Sequence, residues 1–164
     1  MKLLLFFWRK FHPSSPTPPY YFDYSLMKII IKPIRKYINV VIIPNIVFNN
    51  IRIILYRFCG FKIGRNVFIG MKCYLDDLCY DKILIEDNVT ISYGVFFACH
   101  GKNQSHTPIV IKRGAYIGMR ASIISTKHGI CLGENSVVGA CALVNKDIPD
   151  NAMAVGIPIR IIQK

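Results

Sequence analysis

The chain has 164 residues, enough to bury one core and carry an appendage. It is 52% hydrophobic and 18% charged, which excludes global disorder. Its net charge of +12 is uneven, because residues 1–62 hold ten Lys/Arg against one acid, Asp23, while residues 63–164 hold eleven against eight. No helix-turn-helix, RNA-binding or zinc-finger pattern accompanies the charge, so nucleic acid is not an expected partner.

The opening MKLLLFFW is too short to span a membrane, and the following RKFHPSSPTPP lacks the small-residue cleavage site of a secretory signal. The expected location is the cytoplasm. HPSSPTPPYY reads as a turn-rich or extended linker, and little order is expected over residues 1–20. Next, Lys28, Lys32, Arg35 and Lys36 interleave with Ile29, Ile30, Ile31 and Ile34. That mixture suits a helix with a solvated face, or peripheral contact with an anionic membrane or carrier. PNIVFNNIRIILYRFCG then predicts a helix that Pro44 starts and Gly60 ends. Asn45, Asn49, Arg52 and Tyr56 form a polar stripe on it, and Ile46, Ile53, Ile54 and Phe58 point elsewhere. Residues 1–62 are thus a basic, hydrophobic segment with a capping helix.

From Ile63 an aliphatic residue recurs every sixth position within triplets: 63, 69, 75; 85, 91, 97 (a Phe); 111, 117, 123; and 132, 138, 144. Four positions after most anchors stands a small or aliphatic residue, as in Val67, Cys73, Val89, Ala115, Ala121 and Ala142. One position after, Gly, Ala, Ser or an acid dominates, as in Gly64, Gly70, Asp76, Glu86, Gly118 and Gly139. A step of six fits neither an α-helix nor a long strand. It fits a short strand and a tight corner, repeated, so that three faces close one coil and coils stack as parallel strands about 4.8 Å apart. The six cysteines form no CxxC pair, and several fill apolar repeat positions, so neither a disulfide framework nor a metal site is expected.

The stretches IGRNVFIGMKCYL, IEDNVTISYGV, IKRGAYIGMRASI and LGENSVVGACALVNKDIPDNAMAVGIPIRII resemble the hexapeptide-repeat acyltransferases, over roughly the last hundred residues. The closing VNKDIP…AVGIPIR is similar to that family's C-terminal signature. The resemblance implies an all-β repeat fold, a left-handed parallel β-helix of hexapeptide repeats, here with a short helical N-terminal segment. The β-helix is expected over 63–149, with a C-terminal tail over 150–164. It also implies acetyl-CoA as co-substrate, a sugar or glycan acceptor and a homotrimer, with the sugar and polysaccharide O-acetyltransferases as the most similar branch.

The beat breaks at three joints. Leu75 to Ile85 is ten residues, Phe97 to Ile111 fourteen and Ile123 to Leu132 nine. All three excesses follow a third anchor, so they leave the coil at one vertical edge, where a site would be built. The longest, the loop 98–110, carries His100 and His106, and the next carries His128. Moving an acyl group from a thioester to a hydroxyl needs a proton acceptor, and imidazole, with an ordinary pKa near about 6.5, suits that task. The family's histidine lies in a loop at this point, which makes His100 the first candidate for general base and His106 the second. The family often follows its histidine with an acid. This chain has Gly101 there, so a backbone carbonyl or a distant carboxylate is left to orient the ring.

Carried over by motif, Gly118, Met119 and Ala140 would line the pantetheine channel of acetyl-CoA, and Asn145, Lys146 and Arg160 would approach its phosphates. Three other activities fit parts of the pattern. SHTP faintly resembles the serine acetyltransferases' DRHP. A zinc hydratase of the same fold would use three histidines, for which His100, His106 and His128 are the candidates. A non-catalytic scaffold would keep the coil alone.

Overall fold

The computed structural model describes residues 2–14, 26–100 and 106–163. Two compact units divide the chain after Tyr37. The first holds α1 (Lys2–Phe11) and α2 (Leu26–Tyr37). Helix α1 occupies half of the stretch expected to carry little order. Most of the linker expected after it lies outside the described residues.

The second unit is the coil. Each turn visits three parallel sheets. One holds β1 (Lys62–Ile63), β3 (Ile83–Ile85), β6 (Ile109–Ile111) and β9 (Ile130–Leu132). The next holds β2 (Phe68–Ile69), β4 (Thr90–Ile91), β7 (Tyr116–Ile117), β10 (Val137–Val138) and β12 (Met153–Val155). The third holds β5 (Phe96–Ala98), β8 (Ser122–Ile124) and β11 (Leu143–Val144). Every anchor after Ile63 is buried, and register pairs anchor with anchor: Ile69 with Ile91 and Ile117, Phe97 with Ile123 and Val144. The second small position is buried too, from Val67 to Ile148, so two side chains per face fill the interior. The final strand, β13 (Arg160–Ile162), turns back and pairs antiparallel with β12.

The corner three residues after an anchor takes a left-handed backbone. Asn66, Asn88, Asn135, Gly94 and Gly114 suit that conformation, whereas Lys72, Arg120 and Cys141 adopt it as ordinary L-residues at φ between 55° and 60°.

The helix ahead of the coil is shorter than the sequence suggests. Ile43–Asn45, with Pro44, makes a separate 3-10 turn, and α3 spans Asn49–Phe58. Its polar stripe faces the coil. Arg52, 2% exposed, donates from Nε and Nη2 to the carbonyl of Ile69 and from Nη1 to those of Ile46 and Val47. Asn49 bonds the carbonyl of Val67 and the N–H of Ile69. The carbonyls of Val67 and Ile69 belong to the first coil, which has no preceding coil to satisfy them, so polar side chains do so instead. Ile53 and Tyr56 fill the space between, while Ile54 and Phe58 stay exposed.

Candidate active site

The three irregular joints all run from the third sheet to the first, so they share one edge of the coil. His100 stands there directly after β5. Its Nδ1 lies 2.6 Å from Oδ2 of Asp76, in the joint of the coil below. The Asp76 side chain is fully buried and that of His100 is 34% exposed. Asp76 also accepts the N–H of Cys99 on Oδ2 at 2.7 Å and the N–H of Leu78 on Oδ1 at 3.0 Å. A carboxylate already committed as acceptor to two amides fixes Nδ1 as the donor, leaving the lone pair of Nε2 free to take a proton.

Asp76 is the candidate site residue that reading the motifs missed. The carboxylate that Gly101 fails to supply comes from 24 positions upstream. The signal was present in the stacking: Tyr74 pairs with Phe96, which places Asp76 beneath Ala98, two residues before His100. Gly101 itself lies outside the described residues, as does the rest of the loop through position 105.

Thr107 N–H donates to the Cys99 carbonyl at 3.0 Å, pinching the loop at its base, and the Thr107 hydroxyl meets the Ser125 hydroxyl at 2.8 Å. Tyr74 donates to Asp77 at 2.7 Å, and burial together with that carboxylate pushes its phenol above the usual range. Cys79 and Cys99 lie behind Asp76, with their sulfurs and a carboxylate oxygen within 4.8 Å of one another. Among the described residues this is the group close enough to share a metal ion. Burial pushes the Cys79 thiol up to about 12 and that of Cys99 higher still, and the Asp76 carboxylate is engaged by His100.

His106 is exposed on the same edge and forms no ion pair among the described residues. His128 is exposed in the next joint up, beside Asn145 and Lys146, where these and Pro108, Thr126 and Cys131 line a hollow of about 380 Å³. Gly118, Met119 and Ala140 occupy a different edge, between the second and third sheets. Met119 and Ala140 are exposed there. Gly118 is buried, and a Cβ on it would lie 2.5 Å from the Ala140 backbone nitrogen, so coil stacking alone requires glycine at that position. Arg160 is exposed on β13, against the second sheet. The six residues assigned to acetyl-CoA therefore fall on separate parts of one chain, with the width of the third sheet between the two edges.

The fold is thus a stacked coil of six-residue repeats with a histidine set against a buried carboxylate in its irregular edge. No family profile matches the chain. It is 34% identical over 118 residues to galactoside O-acetyltransferase of Escherichia coli K12, a match covering 63% of this chain and 57% of that relative. It is 35% identical over 105 residues to serine acetyltransferase of Bacillus subtilis, covering 63% of this chain and 45% of that one. The chain thus spans about half the length of these curated relatives. A hexapeptide-repeat acetyltransferase from Vibrio cholerae shares the fold at a TM-score of 0.68 and 23% identity, covering 85% of this chain and 93% of that one. Maltose O-acetyltransferase from Clostridium difficile does so at 0.67 and 24%, covering 85% and 89%. The coil has the left-handed parallel β-helix fold of these solved acetyltransferases, and over 63% of its length the chain is similar in sequence to the curated O-acetyltransferases.

Proposed function

We propose that the protein moves an acetyl group from acetyl-CoA to a hydroxyl of a sugar or surface-polysaccharide precursor in the cytoplasm, with His100 as general base. The observation that carries the reading is the 2.6 Å contact between His100 and the buried Asp76. Nε2 takes the acceptor's hydroxyl proton as its oxygen attacks the thioester carbonyl. The resulting imidazolium stays bonded through Nδ1 to Asp76. The proton then passes to the departing CoA thiolate, so the base is restored. Asp76 acts through His100 and is a positioning residue. A sugar acceptor is supported by the galactoside O-acetyltransferase relative, and acetyl-CoA by the V. cholerae fold neighbour solved in complex with it.

Gly118, Met119, Ala140, Asn145, Lys146 and Arg160 are the proposed acetyl-CoA contacts. Because they sit on separate edges of one chain, a homotrimer that sets one copy's edge against the next copy's would gather them into a single groove.

The test is an acceptor screen with acetyl-CoA, followed by release of free thiol, over galactosides, maltose, other sugars and serine. Thiol release with a sugar and not with serine is the expected result. Release with serine alone would move the assignment to the serine acetyltransferases, which the B. subtilis relative represents. Release with no acceptor, together with no effect of acetyl-CoA on melting, would leave a scaffold.

A further inference from the structure

Helix α2 divides its side chains by chemistry. Lys32, Arg35 and Lys36 fall within one arc of about 100° when residues are placed at 3.6 per turn. Met27, Ile30, Ile31, Ile34 and Tyr37 fall on the other side, and each of these five is between 50% and 70% exposed. In helix α1, Arg9 and Lys10 stand opposite Phe7 and Phe11, of which Phe11 is 73% exposed, while Phe6, 63% exposed, falls between the two cations. Neither helix contains an acid.

We infer that this N-terminal unit is an interfacial anchor for an anionic bilayer. A soluble protein rarely leaves so large an aliphatic and aromatic surface open to water without a partner. The partner must accept a broad apolar face and a flanking row of cations together. Lipid offers both, acyl chains for Ile30, Ile31, Ile34 and Phe11, and phosphate headgroups for the cations beside them. A nucleic acid would meet the cations and leave the isoleucines exposed. No helix of the described residues is long and apolar enough to cross a membrane, so α2, about 18 Å long by its residue count, lies along the surface. The inference does not rest on acyl transfer, because vesicle binding is read without substrate.

The experiment is sedimentation of the full chain with vesicles of phosphatidylcholine alone and of phosphatidylcholine with phosphatidylglycerol, at about 0.1 M salt. The chain is expected to sediment with the anionic vesicles and to remain largely in solution with the neutral ones. Trp8 on α1 is the only tryptophan of the sequence, and its emission should shift to the blue as the anionic vesicles are added. Lys32→Glu with Lys36→Glu, and separately Ile30→Asp with Ile34→Asp, should each weaken partitioning by roughly tenfold or more. All four side chains are exposed, so melting of the variants should match that of the native chain. Failure to sediment with either vesicle, equal binding to both, or a double substitution that changes nothing overturns the inference.

Discussion

His100 and Asp76 form a unit, and their substitutions should behave as one. His100→Ala is expected to lower kcat by about 10²–10⁴-fold with acetyl-CoA affinity near normal. Asp76→Asn keeps the shape but removes the charge that orients the ring, and should fall in the same range. The double variant should be little worse than His100→Ala alone, since neither residue works without the other. Additive losses would show that Asp76 merely supports the joint, and a crippled His106→Ala beside an active His100→Ala would move the base. The cysteines give a separate check of the site's interior. With Cys79 pushed up to about 12 by burial, little thiolate exists near neutral pH. Iodoacetamide should therefore modify exposed Cys141 far faster than Cys79 or Cys99, as peptide mass mapping would read.

At the scale of elements, the cap and the corners carry distinct costs. Arg52→Met removes the donors for the carbonyls of Ile69, Ile46 and Val47 inside a closed interface, and should cost about 3 kcal/mol in urea unfolding. Arg120 holds a left-handed corner at φ 55°, so Arg120→Gly should be neutral or stabilising by up to about 0.5 kcal/mol, where a glycine in a strand would weaken it. The six-residue beat made the strands, their register and the shared edge legible, because each anchor must repeat at the same height in the next coil. The function of the α3 stripe was not legible. Periodicity separates polar from apolar faces but does not say which one turns inward, and here unsatisfied strand carbonyls made the polar face the inner one. Asp76 was hidden for a related reason: it counts as an ordinary corner acid along the chain and becomes a histidine partner only across coils.

For the whole molecule, the spread of Gly118, Ala140, Asn145 and Lys146 over two edges makes assembly a requirement of the proposed function. Light scattering should report three chains per particle. If the particle is a monomer that still turns over acetyl-CoA, one edge suffices and the remaining assignments fall. The two ends of the coil carry a further consequence. A stack of parallel strands is an open template, and a second copy could in principle continue it at either end. Arg52 and Asn49 occupy the carbonyls at the first end, and β13 runs against the grain at the last, offering an incoming coil a strand of the wrong polarity. The protein can thus be rich in repeats without becoming a fibre. Deleting residues 158–164 should bring concentration-dependent filaments or precipitation in electron micrographs, while the native chain stays dispersed.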